Sequence, residues 1–194
     1  KGSEAGGYVL NFDGTDNYVD TGNSFQSTFR SSFTISCWIR AVDGQPSSKQ
    51  CILGTQNSSG EDCVRLEIDD DGTIEFHYEA NDNDATAKTS SAIFSNGATD
   101  WTHIVCVADD VENELLIYVN GESQTVTDNN VSGVTFNNWA STADFFIGAR
   151  NQRSIPTASR FFEGKIDEVR IWNVVRTADE ILASYNRNIS GPYD

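Results

Sequence analysis

Three arginines lie close together in a chain that holds few cations. Arg150, Arg153 and Arg160 fall within one polar loop, while the 194 residues contain 13 Lys and Arg against 29 Asp and Glu. The planar guanidinium group donates paired hydrogen bonds to a carboxylate or a sulfate. Trp139, in the preceding loop, lies outside any alternating core pattern and offers an indole for stacking on a sugar. The loop therefore predicts an anionic-glycan site; the alternative is that the arginines pair with the protein's own acids and Trp139 packs on the core.

Two further polar side chains end a predicted hairpin strand. His77 and Tyr78 would add to the ligand site if they line a concave sheet face. The alternative is a surface pair whose hydrogen bonds are made within the protein. We include both residues in the predicted ligand site.

One strand carries carboxylates that invite comparison with glycoside hydrolases. Glu67 and Asp69 alternate along the chain, as paired catalytic carboxylates do on one strand face. A retaining enzyme needs a further glutamate a few residues on, and Gly72 stands there within a turn. The sequence therefore predicts a protein that is not an enzyme.

Alternating apolar and polar residues predict the strands that must position these groups. Such runs cover residues 8–12, 18–19, 33–40, 51–54, 64–68, 73–78, 101–108, 114–119, 145–148 and 164–173. Residues 79–90 are polar and are predicted to form a loop. Thr177 and Glu180 form a capping box, which predicts a short helix near the C-terminus.

This pattern is typical of an all-β fold in which two antiparallel sheets form a jelly-roll sandwich. Turn signals recur about every ten residues, and the one predicted helix comes at the end. Residues 1–7 are interpreted as the end of a linker and residues 8–190 as a single domain. Methionine is absent, so we expect a monomeric module of a larger polypeptide.

The formal net charge of −16 bears on the partners. A chain this acidic repels phosphate, so we expect it to bind neither nucleic acid nor an anionic membrane surface. No apolar run approaches the roughly 20 residues of a membrane span. An acidic surface suits a saline or extracellular setting, and some of the carboxylates could hold calcium.

The cysteine pattern points to the same setting. Cys37, Cys51, Cys63 and Cys106 are four in number and include no C-x-x-C pair, so a zinc or thioredoxin-like site is not expected. Two disulfides in a secreted protein are the preferred interpretation. Free buried thiols in a cytosolic protein are the alternative.

Six segments in order resemble the landmarks of laminin G-like, concanavalin A-like jelly-roll modules, in the bacterial and pentraxin-related branch. They are residues 10–19, 33–39, 101–105, 116–121, 146–149 and 164–172. The resemblance covers nearly the whole chain. It implies the jelly-roll fold, but this fold hosts lectins, adhesion modules and glycan hydrolases alike.

The resemblance also implies a set of bonds and ligands. It pairs Cys37 with Cys106, which leaves Cys51 for Cys63. Members of this superfamily hold a structural calcium between the first turn and the last strand. That implies a Ca²⁺ site at Asp13, Gly14, Asn17 and Asp167. Pentraxins have acids where Arg150 and Arg153 stand here, so a calcium-bridged ligand is not expected.

We therefore predict a non-catalytic carbohydrate-binding module of a secreted, bacterial protein that favours sulfated or uronic polysaccharides. The alternative is a protein-interaction or spacer module of a large extracellular adhesin without a sugar site.

Overall fold

Two antiparallel sheets pack face to face in the computed structural model, which describes residues 9–56, 62–127, 133–152 and 157–187. This confirms the predicted all-β jelly-roll sandwich. The linker predicted at residues 1–7 lies outside the described residues. No helix in the described ranges is long and apolar enough to cross a membrane.

The six-stranded sheet has the order β1-β15-β3-β8-β9-β10. Its strands are β1 (Leu10–Asp13), β3 (Phe33–Ala41), β8 (Thr102–Asp109), β9 (Glu114–Val119), β10 (Glu122–Ser123) and β15 (Glu163–Trp172).

The seven-stranded sheet has the order β11-β7-β6-β5-β4-β12-β2. Its strands are β2 (Val19–Asp20), β4 (Gln50–Gln56), β5 (Cys63–Ile68), β6 (Ile74–Ala80), β7 (Asn83–Thr89), β11 (Val126–Thr127) and β12 (Phe146–Ile147). The remaining elements are a hairpin of β13 (Arg150–Gln152) with β14 (Thr157–Ser159), a short helix α1 (Gln26–Phe29), a 3-10 helix (Phe136–Asn138) and helix α2 (Ala178–Arg187).

The core lies between the sheets because strand alternation sends every second side chain inward. Phe33 and Ile35 from β3 pack there with Leu66 from β5 and Phe76 from β6. Each sheet thus keeps one outer face for polar groups or for a covering element.

The closing strand β15 lies between β1 and β3 and pairs antiparallel with both. Its register slips between Asp167 and Arg170, and Glu168 has a φ of 52°. This bulge interrupts the simple alternation predicted for residues 164–173, because an extra residue shifts the following side chains.

Helix α2 covers the outer face of the six-stranded sheet. The backbone N–H of Glu180 donates to Thr177 Oγ1 at 3.3 Å, and the N–H of Thr177 donates to Glu180 Oε2 at 3.0 Å. The predicted capping box is therefore formed. Ile181 then packs with Val105 and Val107 of β8 in a second apolar cluster.

Residues 83–89 form strand β7, so the loop predicted for residues 79–90 is wrong over that segment. Ala85 and Ala87 face the core, while Asp84, Thr86 and Lys88 alternate with them. Alanine is too weakly apolar to mark a strand, and pairing with β6 supplies the missing stabilisation.

The four cysteines are free and buried, so the two predicted disulfides are absent from the structure. Cys37 lies opposite Ile104 and Cys106 opposite Ile35, which makes the two cysteines diagonal neighbours. Diagonal Cα atoms are about 7–8 Å apart, whereas disulfides join Cα atoms about 4.4–6.8 Å apart.

The second predicted bond fails for a different reason. Cys51 lies opposite Glu67, whereas Cys63 lies four residues earlier on β5, opposite Gln56. Four residues span about 13 Å of strand, which is beyond disulfide reach.

Candidate ligand-binding site

The outer face of the seven-stranded sheet carries charged groups at its centre. Val64, Leu66 and Ile68 of β5 point into the core, so Arg65 and Glu67 project from the opposite face. Arg65 lies opposite His77 of β6 in the strand register. Sheet pairing therefore places a guanidinium, a carboxylate and an imidazole side by side.

The β13–β14 hairpin adds two more arginines to this face. The N–H of Cys51 donates to the carbonyl of Arg160 at 2.7 Å, which ties the end of the hairpin segment to β4. Arg160 Nη1 donates to both carboxylate oxygens of Glu67, at 2.8 and 2.7 Å. Arg150 donates through Nη2 to Gln56 Oε1. Two of the three loop arginines are thus brought to one place.

We call Arg65, Arg150 and Arg160, together with Glu67, the arginine cluster. Glu67 is fully buried and also lies 3.8 Å from Arg65 Nε, whereas the side chain of Arg160 is 35% exposed. Two guanidinium groups therefore flank one buried carboxylate, Arg150 lies nearby on Gln56, and part of this positive charge reaches solvent.

The pKa values of neighbouring groups report a positive local field. Burial, together with the charges of Arg65, Arg150, Lys49 and Arg160, lowers the pKa of His77 to about 3. Burial and repulsion by Arg65 lower the pKa of the Arg150 guanidinium. The cluster is thus positively charged within an acidic chain, and a bound anion would relieve this repulsion.

Further hydrogen-bonding groups lie beside the cluster on β6 and β7. His77 Nδ1 lies 2.8 Å from Thr86 Oγ1, and His77 Nε2 lies 3.5 Å from Glu79 Oε2. Because its pKa is low, His77 is a neutral hydrogen-bonding group at physiological pH.

Two aromatic residues predicted at the ligand site belong to the core instead. Trp139 is fully buried and stacks on Tyr78, with ring centroids 5.6 Å apart and planes 16° apart. Tyr78 is also fully buried and donates its hydroxyl to the Phe29 carbonyl at 2.7 Å. His77 and Tyr78 are consecutive residues of a strand, so they point to opposite faces and cannot share a site.

The sequence prediction included neither Arg65 nor Glu67 in the ligand site; it considered Glu67 only as a catalytic carboxylate and rejected that role. Both alternate with core residues of β5, so the pattern showed that they lie outside the core but not which groups they meet. Arg153 lies outside the described residues. The opposite charges of Arg65 and Glu67, two residues apart on one strand face, were the sequence signal for a charged cluster at this place.

The predicted calcium ligands do not come together. Asp13 pairs with Glu163 on β15, and Asp167 lies four residues further along that strand, about 13 Å away. Calcium takes its ligands at about 2.3–2.6 Å, so one ion cannot bind both carboxylates. Asp13 Oδ1 instead accepts the N–H groups of Thr15, Asp16 and Asn17, at 2.9, 3.3 and 3.4 Å. This is the local turn that an aspartate makes without a metal.

The described residues contain one group of three acids whose carboxylates lie within 4.8 Å of one another, Asp69, Asp70 and Asp71. Lys88 Nζ lies 2.7 Å from Asp69 Oδ2 and 3.1 Å from Asp71 Oδ2. Lys49 Nζ lies 3.2 Å from Asp69 Oδ2. Two ammonium groups therefore already occupy carboxylate oxygens of this cluster and offset part of its charge.

The sequence of residues 13–182 matches the profile of the concanavalin A-like lectin/glucanases superfamily. The chain belongs to this superfamily. The predicted family is thereby confirmed. A search of curated protein sequences gives no significant match.

Solved structures of the concanavalin A-like fold share this architecture. The CBM40 module of the Ruminococcus gnavus IT-sialidase superposes with a TM-score of 0.71 at 15% identity, covering 92% of this chain and 95% of that one. The same module bound to α2,6-sialyllactose gives a TM-score of 0.70 at 16% identity, covering 90% and 95% of the two chains. A heptameric SAP-like pentraxin from Limulus polyphemus gives 0.61 at 14% identity, covering 91% and 81%. At these identities the similarity establishes the fold.

Proposed function

We propose that this chain is a non-catalytic carbohydrate-binding module that binds anionic glycans through the arginine cluster. The observation that carries the proposal is the convergence of Arg65, Arg150 and Arg160 on one sheet face, in a chain of net charge −16. The sialyllactose held by the R. gnavus module is itself a carboxylate-bearing sugar, which supports the same ligand class.

The geometry leaves donors for a ligand. Arg160 uses a single nitrogen, Nη1, for both contacts with Glu67. A carboxylate or sulfate would accept from the other nitrogens of Arg160 and from Arg150, whose described partner is the neutral Gln56. The side-chain groups of Gln56 and Thr86 would then bind sugar hydroxyls.

The carboxylates on this face are engaged in ways that suit binding and not hydrolysis. Glu67 is fully buried against Arg160, and Asp69 is paired with Lys88. A glycosidase needs one carboxyl group as an acid and another as a nucleophile or base. Both carboxylates are already engaged by cations, so we propose no catalytic role for either.

Replacing Arg150 with glutamine is expected to weaken binding to an anionic glycan by about 10- to 100-fold. A hydrogen bond to a charged group contributes about 1.5–3 kcal/mol. Arg150 is a better residue to substitute than Arg160, because removing Arg160 would leave the buried Glu67 carboxylate without its main ion-pair partner. The measurement is calorimetric titration with polygalacturonate, a sulfated dextran and 6′-sialyllactose, beside neutral dextran and lactose.

Lys165→Gln provides a matched control, because it removes the same charge from β15 of the other sheet. Its affinity should equal that of the unchanged protein. Equal weakening by both substitutions would show that net charge alone governs binding, and unchanged affinity in Arg150→Gln would refute the arginine cluster. Binding to none of the glycans would favour the spacer or protein-interaction module.

A structural calcium ion is a separate hypothesis with a separate test. Lys49 and Lys88 already occupy carboxylate oxygens of the Asp69–Asp71 cluster, so we expect neither a chelator nor added calcium to shift Tm, measured by calorimetry. Magnesium at the same concentration controls for ionic strength. A rise in Tm specific to calcium would contradict this expectation and place the ion at other oxygen ligands.

Secretion from a bacterium, a monomeric state and attachment to a larger polypeptide stay predictions from the sequence. They fit a module that meets polysaccharides outside the cell.

A further inference from the structure

We propose that a second site, separate from the arginine cluster, binds a small oxyanion-bearing molecule in the cavity between helix α2 and the six-stranded sheet. The cavity has a volume of about 330 Å³. It is about ten times the share of one water molecule in the liquid, about 30 Å³, so it can hold a small organic anion as well as an inorganic one.

The cavity gathers three of the few cations in this acidic chain. Arg170, Arg176 and Arg187 line it together with Glu180. Arg170 is also ion-paired with Glu168, so three guanidinium groups face two carboxylates. Arg170 comes from β15, Arg176 from the segment before α2, and Arg187 from the last turn of α2. Three separate segments thus supply guanidinium groups to one cavity, in a protein with more than twice as many acids as bases.

Two buried polar side chains at its inner wall have no hydrogen-bond partner among the described residues. They are Ser36, through Oγ, and His103, through both ring nitrogens. Each residue is 1% exposed. Buried polar groups are nearly always hydrogen-bonded, so unpaired ones need a partner from outside the chain. A ligand oxygen could accept from the Ser36 hydroxyl and from the His103 ring N–H.

The walls are held in place by ring contacts. His103 lies against Trp38 and Tyr185, with centroid distances of 5.2 and 6.2 Å. At the rim, the Arg176 guanidinium lies 5.5 Å above the ring of Trp172 and 3.1 Å from Glu180 Oε1. The imidazole is thus fixed at the bottom and a guanidinium is positioned at the entrance.

These features specify the ligand chemistry. Guanidinium groups bind the oxygens of carboxylate, sulfate or phosphate, and a hydroxyl and an imidazole complete such a set. Burial, and then the positive charge of Arg170, lower the pKa of His103 to about 4, so the ring binds as a neutral donor. Trp172 adds an apolar wall for the body of an organic anion.

The test uses the histidines as reporters, because the chain has only two. Sodium sulfate, sodium phosphate and sodium glucuronate are titrated separately, while the ring resonances of both histidines are followed by NMR. Sodium chloride at equal ionic strength serves as the reference. We expect a saturable shift of His103 with at least one of the three oxyanions, and saturation by glucuronate alone would identify an organic ligand.

Arg170→Gln combined with Arg176→Gln should weaken this saturation by about tenfold or more. Both side chains are substantially exposed, at 39% and 29%, so the fold should persist. Arg176→Lys, which keeps the charge, should lose less affinity than Arg176→Gln. Arg150→Gln should leave the His103 titration unchanged, which separates this site from the arginine cluster.

Two results would overturn the proposal. One is a His103 shift that follows ionic strength without saturating in all three oxyanions. The other is an equal affinity in the doubly substituted protein. Neither result bears on glycan binding at the arginine cluster, which His77 reports.

Discussion

Trp139→Ala is expected to lower the free energy of unfolding by about 3–5 kcal/mol, as large-to-small changes of buried aromatics do. Trp139 is fully buried, stacks on Tyr78 and meets the Phe29 ring edge-on at a centroid distance of 5.3 Å. Truncation would leave a cavity among aromatic rings whose positions are held by neighbouring strands. Urea denaturation followed by circular dichroism measures the change.

Tyr78→Phe is the matched control for this cluster. It keeps the ring but removes the hydroxyl that donates to the Phe29 carbonyl, so the expected loss is about 1 kcal/mol. A Trp139→Ala protein of unchanged stability but reduced glycan affinity would contradict the structure. It would return Trp139 to the ligand site predicted from the sequence.

The second large effect is a loss of stability in mild acid caused by the two histidines. The folded protein holds the pKa of His77 at about 3 and that of His103 at about 4, both below the ordinary 6.5. Below pH 6.5 the histidines of the unfolded chain become protonated while those of the folded chain stay neutral. The free energy of unfolding is therefore highest above pH 6.5 and falls as the pH approaches the folded-state pKa values.

The size of the acid effect follows from linkage. Each histidine contributes up to roughly 2 kcal/mol of destabilisation between pH 7.5 and pH 5. Urea denaturation at several pH values in this range gives the slope. His77→Gln and His103→Gln should each remove about half of it, and a flat profile in the unchanged protein would show that the histidines titrate normally.

The fold could be predicted because strand alternation is a local signal. Phe33, Ile35, Cys37 and Ile39 occupy alternate positions of β3, and they do face the core. The capping box at Thr177 is local too, and it was found. Strand β7 escaped prediction because Ala85 and Ala87 give too little apolar contrast.

The site depended on distances between strands, which no local pattern encodes. Arg160 reaches Glu67 from 93 positions away in the chain, and this pairing requires the hairpin to fold back on β4. Trp139 looked exposed because its segment does not alternate, yet the loop places it under Tyr78. Asp13 and Asp167 share neighbouring strands, but only the register shows that they lie too far apart.

The reactivity of the four free cysteines can report which part of the sandwich opens. Each side chain is fully buried, and burial raises the pKa of Cys63 to about 12 and those of Cys37, Cys51 and Cys106 as well. Alkylating reagents attack the thiolate, so the folded molecule is protected both sterically and chemically. Cys37 and Cys106 lie between the sheets, whereas Cys51 and Cys63 lie under the arginine cluster. The order in which they become reactive therefore distinguishes separation of the two sheets from detachment of the hairpin alone.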